Sequence, residues 1–235
     1  MLIGIDANEA NLTQNRVGIN EYAYNLLLAI SNLQSEHKFV VYLKTPPLPD
    51  MPDMNYRVIP FPKLWTQTRL PWDLFTHNPR PDIFFSMTHY APRWSPIPTV
   101  VSIMDLGFLQ TPEQFTQKDF NQLKSWTQYS VLNAKKIIAI SEFTKQDVVD
   151  TYHKDPKDIV VTYLGYKDAI FKPINKPKKP YVLFLSSLKH SKNVEGLIRA
   201  FSKLKIENLK LKIVGKKAWL YDQIFSLVKE LGLED

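Results

Sequence analysis

Residues 186–193, SSLKHSKN, place hydroxyl, amide and cationic side chains between an apolar run and a helical pattern. The apolar run at 181–185 predicts a strand, and the residues after Asn193 repeat their apolar side chains at helical spacing. A turn between a strand and a helix directs backbone N–H groups and the helix dipole toward an anion. Ser187, Lys192 and Asn193 are therefore predicted to bind a diphosphate, the alternative being a capped helix start with a solvated lysine.

Four residues that follow other apolar runs are further candidates. Gly18 precedes a helical pattern, where a glycine either lets the backbone approach a phosphate or sugar or serves as a turn residue. Asp105 directly follows an apolar strand, and its carboxylate either binds a substrate hydroxyl or caps the next loop. His89 lies in a proline-rich loop, where a lone histidine is more often a surface residue than a catalyst. Ser141 stands where an N-cap belongs, and that role is sufficient to account for it.

The composition and motifs exclude several classes of site. The sequence has no cysteine, which removes disulfides, thiolate metal ligands and cysteine nucleophiles. No apolar run approaches the ~20 residues that span a bilayer, and the first residues do not form a signal peptide. Metalloprotease, α/β-hydrolase and P-loop motifs are absent, and the first loop lacks the glycine fingerprint of a dehydrogenase. We expect a cytoplasmic protein.

Positive charge is concentrated in the last third of the chain. The whole chain carries +7, whereas residues 167–217 have 13 Lys and one Arg against three acidic residues and so carry +11. The remainder therefore carries −4. Such a basic region suits a phosphate-bearing ligand, an anionic membrane surface or a solvated face. No zinc-finger, RNP-type or helix-turn-helix signature occurs, so no nucleic-acid partner is predicted.

Strand and helix patterns alternate along almost the whole chain. Continuous apolar strands between helices predict an α/β fold with a mostly parallel, doubly wound sheet covered on both faces. Residues 1–166 form one complete Rossmann-like domain in this interpretation, and the proline- and lysine-rich residues 167–180 form a linker. Residues 181–235 supply only a βαβα unit, which is the first part of a second Rossmann-like domain.

Five segments, taken in order, resemble glycosyltransferase family 4 on the GT-B fold, and most closely its mannosyltransferase-B-like members. RVGINEYAYNLL looks like the family's early glycine loop and helix, and PTVVSIMDLGFLQTPEQF looks like its P-x-V-x-x-I-H-D-L stretch. AKKIIAISEFTKQDVV is similar to A-x-x-I-I-x-V-S-x-F-S-x-x-D-I. YVLFLSSLKHSKNVEGLIRAF matches Y-x-L-x-V-G-S-L-x-P-R-K-N-x-x-x-L-I-x-A-F, and LKIVGKKAWLYDQI matches the strand, glycine and tryptophan that follow. The resemblance covers the whole chain.

The resemblance implies transfer of a hexosyl group from a UDP-, GDP- or ADP-sugar, with retention of anomeric configuration and without a metal. It implies that the N-terminal domain receives the acceptor, a sugar or lipid-linked molecule, and that residues 181–235 belong to the nucleotide-sugar-binding domain. The basic C-terminal third makes peripheral contact with an anionic membrane, at its inner face, a further expectation for this chain.

The resemblance also assigns roles to individual residues. Asp105 matches the aspartate of the family's His-Asp pair and is the catalytic candidate. Lys192 matches a lysine that neutralises the leaving group as the glycosidic bond breaks. The donor and phosphate-binding candidates are Gly18, Ser187, Lys192 and Asn193, and the acceptor-side candidates are His89 and Ser141.

Several positions depart from the family pattern. Met104 replaces the histidine of the His-Asp pair, and a thioether cannot donate a strong hydrogen bond. In the diphosphate turn, Ser186, His190 and Ser191 replace a glycine, a proline and an arginine. The chain also ends before the family's E-x7-E region, whose acidic residues bind the donor sugar and ribose.

These departures predict a glycosyltransferase that is incomplete or inactive as this chain alone. The alternative is a non-catalytic binding or regulatory partner derived from a glycosyltransferase. In both cases the short βαβα unit is expected to leave apolar surface and strand edges uncovered. We therefore expect a homodimer or a complementing chain as a partner.

Overall fold

The structure is a computed structural model that describes residues 1–166, 170–173, 175, 177, 179–188, 192–216 and 221–234. It divides into two compact units, Met1–Tyr166 and Lys167–Asp235, called unit 1 and unit 2 below. Within the described ranges, no helix combines the length and the apolar character that crossing a membrane requires.

Unit 1 is built on a sheet of seven parallel strands. These are β1 (Leu2–Asp6), β2 (Lys38–Leu43), β3 (Tyr56–Val58), β4 (Ile83–Ser86), β5 (Thr99–Ile103), β6 (Lys136–Ala139) and β7 (Ile159–Val161). Their order across the sheet is β3-β2-β1-β4-β5-β6-β7. The chain thus adds strands first to one side of β1 and then to the other, as in a doubly wound fold. The predicted α/β class is confirmed.

Helices cover both faces of this sheet. They are α1 (Ile19–Ser31), α2 (Leu70–Thr76), α3 (Gln117–Asn133) and α4 (Glu142–Tyr152). Neighbouring residues of a strand point to opposite faces. On β2, Val41 belongs to the core beneath α1, whereas Tyr42 belongs to the core beneath α2. A third core cluster joins β5, β6 and β7 to Val131 of α3 and Val148 of α4.

Helix α3 begins later than its sequence pattern predicts. The apolar spacing predicts a helix over 113–134, but Pro112–Gln114 form a 3-10 turn and α3 begins at Gln117. Thr116 is the cause, because its Oγ1 accepts a hydrogen bond from the N–H of Asp119 at 3.2 Å and caps the helix.

The short helix that the sequence predicts over 70–77, with Pro71 in its first turn, is confirmed as α2. A π-helical turn, Trp65–Arg69, precedes it, and the sequence pattern does not indicate this turn. Trp65 is buried, and its indole N–H donates to the backbone oxygen of Ile59 at 2.7 Å. This bond ties the π-helical turn to the chain that leaves the end of β3.

The described part of unit 2 contains the expected βαβα arrangement. Its elements are the parallel strands β8 (Tyr181–Leu185) and β9 (Lys210–Val214) and the helices α5 (Val194–Ser202) and α6 (Tyr221–Glu230). Helix α5 is shorter than the pattern over 193–204 predicts, because Asn193 caps it and Lys203 ends it. The last helix is predicted to begin at Trp219, which lies outside the described residues.

The two faces of the β8–β9 sheet differ. One face packs against α5 and α6 through a core formed by Leu188, Val194, Ile198, Ile224 and Leu227. On the other face the side chains of Leu183, Leu185 and Val214 are 54 %, 73 % and 49 % exposed. The sequence predicts an uncovered apolar strand edge and an uncovered face of the last helix, but Ile224 of that helix is buried in the core and the exposed apolar side chains lie on a face of the sheet.

Candidate functional site

The strands of unit 1 end at one edge of the sheet, because all of them run parallel. Open α/β sheets bind ligands outside these carboxyl ends, at the point where the strand order reverses. That reversal falls between β1 and β4. The loops that follow β1, β4, β5 and β6 contain Gly18, His89, Asp105 and Ser141, so the predicted site residues of unit 1 share this edge.

Gly18 lies at the N-terminus of α1 with φ 56° and ψ −123°, a backbone conformation that favours glycine. A Cβ atom built on Gly18 meets no atom within 4 Å, so the space beside it is open. Gly18 itself has no side chain to cap the first turn of α1, and backbone N–H groups at a helix N-terminus favour an anion. This geometry fits both interpretations of Gly18, as a turn residue and as a point of phosphate approach.

Asp6 ends β1 at the same edge, although the sequence motifs do not single it out. Its side chain is nearly buried, and burial raises the pKa of its carboxyl to about 6. Its Oδ1 accepts hydrogen bonds from the backbone N–H and the Nδ2 of Asn8, at 3.1 and 2.7 Å, which oppose that rise. The available sequence signal is a carboxylate directly after an apolar strand, the same signal that identifies Asp105.

Glu9 joins the loop after β1 to helix α1. Asn20 Nδ2 donates to Glu9 Oε2 at 2.6 Å and to the backbone oxygen of Glu9 at 3.1 Å. Burial raises the pKa of Glu9, and the bond from Asn20 opposes this rise. Two residues further along α1, the hydroxyls of Tyr22 and Ser102 lie 3.0 Å apart, which ties α1 to β5. These contacts hold the glycine loop at the carboxyl edge.

His89 is half-buried rather than fully exposed. Its Nε2 accepts a hydrogen bond from the backbone N–H of Met104 at 3.3 Å. Its Nδ1 is buried and has no partner among the described residues. Burial lowers the pKa of His89 to about 4, although the charge of Asp105 opposes the change. The imidazole is therefore neutral at pH 7, and because Nε2 is an acceptor its proton lies on Nδ1.

Asp105 follows β5 with its side chain exposed at the edge. Its Oδ1 accepts a hydrogen bond from the N–H of Gly107 at 2.9 Å, so the carboxylate caps its own loop, as one of its two interpretations requires. A carboxylate accepts several hydrogen bonds through two oxygens. Loop capping by Asp105 is therefore compatible with binding a substrate hydroxyl.

Ser141 caps α4, as its position predicts, because its Oγ accepts a hydrogen bond from the N–H of Thr144 at 3.1 Å. Thr144 Oγ1 in turn donates to the backbone oxygen of Met104 at 3.0 Å. The main chain of Met104 thus connects His89 on one side with Thr144 and Ser141 on the other. The structure brings His89, Asp105 and Ser141 together at three neighbouring strand ends.

In unit 2 the turn after β8 lies against the end of β9. The N–H of Ser186 donates to the backbone oxygen of Val214 at 3.1 Å, and the N–H of Leu188 donates to that of Lys216 at 2.9 Å. Gly215 lies between these two bonds, and a Cβ atom built on it would overlap the backbone oxygen of Ser186. Only glycine fits there, so Gly215 positions the predicted diphosphate turn, although it is not among the predicted site residues.

Asn193 adopts a left-handed backbone conformation, and its Oδ1 caps α5 by accepting from the N–H of Gly196 at 3.2 Å. A Cβ atom on Gly196 would overlap the Asn193 side chain, so a glycine makes room for the cap. Lys192 is exposed directly before this cap, and Ser187 is half-buried in the turn. Residues 189–191, which include two of the departures from the family pattern, lie outside the described residues.

Unit 1, with its parallel, doubly wound sheet, belongs to the Rossmann-like α/β fold class, and the described part of unit 2 is a βαβα unit. A family model described as glycosyltransferase family 4 matches residues 18–169, which is more than half of the chain. A second model, described as glycosyl transferases group 1, matches residues 166–235. The chain therefore belongs to glycosyltransferase family 4.

Several solved structures share the fold at low sequence identity. HepE of Anabaena, in complex with UDP, is 14% identical with a TM-score of 0.66, and the match covers 99% of this chain and 66% of that one. A glycosyltransferase from Rickettsia africae is 17% identical with a TM-score of 0.58, covering 100% and 66%. The lipopolysaccharide outer core galactosyltransferase WaaB is 15% identical with a TM-score of 0.58, covering 100% and 66%.

These likenesses confirm the GT-B fold that the sequence resemblance implies. The chain spans about two thirds of the length of these related structures. No curated protein matches the sequence. Among the residues that the structure describes, no group of three or more His, Asp or Glu side chains is arranged to hold a metal ion.

Proposed function

We propose that the protein is a glycosyltransferase that takes a hexosyl group from a UDP-, GDP- or ADP-sugar, with retention of anomeric configuration and without a metal ion. The observation that carries the proposal is the family 4 match over residues 18–169, which includes the edge of unit 1 where Gly18, His89 and Asp105 lie. The fold neighbour HepE has been solved in complex with UDP, so UDP is the first donor nucleotide to test.

The donor diphosphate is assigned to unit 2. Lys192 supplies a positive charge beside the N-terminus of α5, Ser187 supplies a hydroxyl, and the first N–H groups of α5 meet phosphate oxygens. Negative charge grows on the leaving diphosphate as the glycosidic bond breaks, and Lys192 neutralises it. Asn193 contributes by capping the helix, since its Oδ1 is bound to the N–H of Gly196.

The acceptor, a sugar or a lipid-linked sugar, is assigned to the carboxyl edge of unit 1. Asp105 accepts a hydrogen bond from an acceptor hydroxyl while it keeps its bond to Gly107. His89 and Ser141 act as positioning residues, because both reach the loop before Asp105 through the main chain of Met104. Gly18 is assigned to phosphate approach at the start of α1, because the space beside it is open.

Met104 favours a second function, that of a non-catalytic binding or regulatory partner. Its thioether stands where the family has the histidine of its His-Asp pair and cannot donate a strong hydrogen bond. If the protein is an enzyme, the same substitution predicts little or no turnover by this chain alone. The two functions therefore differ in one outcome. A hydrogen-bond donor restored at position 104 should raise the rate of sugar transfer only if the protein is an enzyme.

The discriminating assay incubates the purified chain with UDP-, GDP- and ADP-sugars and measures sugar release and transfer. We expect the parent to turn over far more slowly than ~1 s⁻¹, the lower end of ordinary enzyme rates. A Met104→His variant should be faster by about tenfold or more if the site is catalytic. Nucleotide binding without turnover in either protein would favour the binding function, and no nucleotide binding at all would contradict both.

Calorimetry with UDP and GDP tests the assignment of the diphosphate to unit 2. Lys192→Ala should lose about 1–3 kcal/mol of nucleotide binding free energy, the range for a hydrogen bond to a charged group. Lys203→Ala is the matched control, because Lys203 is an exposed lysine at the opposite end of α5. Equal affinities of the Lys192→Ala variant and the parent would remove Lys192 from the site.

A further inference from the structure

The loop between β1 and α1, residues 7–18, is called the glycine loop below, and it buries a guanidinium. Leu12 and Val17 are 70 % and 71 % exposed, and Gly18 is also exposed. By contrast, the side chain of Arg16 is only 4 % exposed. A guanidinium stays charged at ordinary pH and is almost never fully buried unless it is paired. The partners of Arg16 therefore show what this loop is attached to.

Every nitrogen of the Arg16 guanidinium has a partner. Nη1 and Nη2 donate to the two carboxylate oxygens of Asp50, at 2.5 and 3.1 Å, in the bidentate arrangement of a strong ion pair. Nε donates to the backbone oxygen of Ala10 at 2.7 Å, within the glycine loop itself. Cζ lies 3.9 Å from the centre of the Tyr24 ring on α1, and the Tyr24 hydroxyl donates to the backbone oxygen of Asp50 at 3.0 Å. Arg16 thus connects the glycine loop to α1 and to Asp50.

Asp50 belongs to residues 44–51, which follow β2 and are called the β2 loop below. A second side chain of the glycine loop, that of Asn11, binds the same segment. Asn11 is 6 % exposed, its Nδ2 donates to the backbone oxygen of Pro46 at 2.9 Å, and its Oδ1 accepts from the N–H of Leu48 at 2.7 Å. The glycine loop is therefore attached to the β2 loop at two points, on either side of its mostly exposed middle.

An arginine close to a glycine at a helix start has an alternative role as a phosphate ligand, because a guanidinium matches the geometry of phosphate. The contacts of Arg16 oppose this role. The exposed part of the ion pair is the Asp50 side chain, which is 36 % exposed and presents negative charge to an incoming anion. A phosphate would have to displace this carboxylate from the guanidinium, and the displaced carboxylate would then repel it.

We propose that Arg16 is a positioning residue, which joins the glycine loop to the β2 loop through Asp50 and so fixes the main chain at Gly18 before any ligand binds. Gly18 lies two residues after Arg16 and has the constrained backbone with φ 56°. A loop that is ordered beforehand loses less conformational entropy when a ligand binds. The inference rests on the proposed function, in which a donor phosphate approaches Gly18. It adds that this approach depends on the loop after β2, which carries none of the candidate site residues.

Hydrogen exchange of the full chain tests the attachment without any ligand. Arg16→Ala and Asp50→Ala should each accelerate exchange by about tenfold or more over both 11–18 and 48–51, because either substitution removes the ion pair. The double variant should exchange at about the rate of the Arg16→Ala variant, since its second substitution removes a contact that is already lost.

Lys157→Ala is the matched control, because Lys157 forms an ion pair with Asp155 at 2.6 Å in the turn before β7. Exchange over 11–18 in this variant should be that of the parent. In all variants exchange over 83–139 should also be that of the parent, which shows that the sheet remains folded. Parental exchange over 11–18 in the Asp50→Ala variant would overturn the proposal, and so would effects that multiply in the double variant.

Calorimetry with UDP separates positioning from direct phosphate binding. If Arg16 positions the loop, Arg16→Ala and Asp50→Ala should weaken UDP binding alike, by about three- to tenfold, through the added cost of ordering the loop. If Arg16 binds phosphate directly, Asp50→Ala should leave the affinity unchanged or raise it, because it frees the guanidinium, and that result would overturn the proposal. Parental affinity in both variants would overturn it too. If the parent itself binds no UDP, the proposed function fails, and the exchange rates alone decide the role of Arg16.

Discussion

The two units use the same alternation of strands and helices, yet they differ in how fully their strands are covered. Val101 in β5 of unit 1 is fully buried, whereas Leu183 and Leu185 in β8 of unit 2 are more than half exposed. The sequences of these two strands, TVVSI and YVLFL, are both apolar runs of equal length. An apolar run therefore predicts a strand, but neighbouring strands and helices decide whether both of its faces are buried.

The glycines at the two candidate sites differ in a similar way. Gly215 in unit 2 is required because no space exists for a side chain, whereas Gly18 in unit 1 is required because of its backbone conformation and has open space beside it. Substitutions at these two glycines should distinguish a lack of space from a constraint on backbone conformation. Each should destabilise only the unit in which it lies.

The largest effect is expected for Gly215→Ala. The added Cβ overlaps the backbone of Ser186, so the turn after β8 has to move, and unit 2 should lose about 3 kcal/mol or more of stability. Hydrogen exchange should accelerate over 181–188 and 210–216 and stay unchanged over 1–166. Gly165→Ala is the matched control, because a Cβ at Gly165 meets no atom within 4 Å. If amide hydrogens in the turn after β8 exchange as slowly as in the parent, the prediction is contradicted.

Asp6→Asn should produce the next largest effect, confined to unit 1. The carboxyl pKa is raised from 3.8 to about 6 in the folded state, so folding favours the protonated form and stability is lost as the pH rises through this range. The variant should be more stable than the parent by about 2 kcal/mol at pH 7 and equal to it below about pH 4. Urea unfolding followed by tryptophan fluorescence reports mainly unit 1, which has four of the five tryptophans.

The shifted pKa of His89 makes stability depend on pH over the same range as Asp6 does, but in the opposite direction. Its pKa is lowered from 6.5 to about 4, so its contribution to stability is present above pH 6.5 and is lost as the pH falls toward 4. The two groups therefore offset each other in the parent, and Asp6→Asn should make stability rise more steeply with pH between about 4 and 6. A stability difference between variant and parent that grows toward low pH would contradict the assignment to Asp6.

Gly18→Ala should change the free energy of unfolding by less than Gly215→Ala or Asp6→Asn does. The substitution introduces no clash but places a Cβ on a backbone with φ 56°, a strain of about 1 kcal/mol. The free energy of unfolding from urea titration measures it, with Gly165→Ala again as the control. A loss as large as that of Gly215→Ala would show that Gly18 is packed rather than open.

The smallest effect on stability is expected for Leu183→Ser with Leu185→Ser, since both side chains are exposed and exposed substitutions usually change stability by less than about 0.5 kcal/mol. If the uncovered face of unit 2 pairs with a second copy of the chain, light scattering should show a dimer for the parent and a monomer for the variant. Phe143→Ser, at an equally exposed position of α4, is the control. A monomeric parent would refute dimerisation through this face.

Much of the architecture could be predicted from local sequence. The apolar run at 181–185 predicts both ends of β8, because Pro180 precedes it and the polar Ser186 follows it. The start of α3 could also have been predicted, since Thr116 followed three residues later by Asp119 is a capping pattern that outweighs the apolar spacing before it. The π-helical turn before α2 has no comparable local signal.

The candidate site was less predictable, because its contacts join residues that are distant in sequence. His89 accepts a hydrogen bond from the backbone of Met104, directly after the next strand, and a lone histidine in a loop gives no indication of such a bond. The role of Gly215 likewise depends on the turn that follows the neighbouring strand. Asp6 could have been predicted as a site residue, because it ends an apolar strand in the same way that Asp105 follows one.

The main-chain bonds of Met104 have an evolutionary consequence. Its N–H donates to His89 and its carbonyl oxygen accepts from Thr144, and every residue except proline has both groups. The side chain at this position can therefore change by mutation during evolution while the bonds to its neighbours persist, and no compensating substitution is required elsewhere.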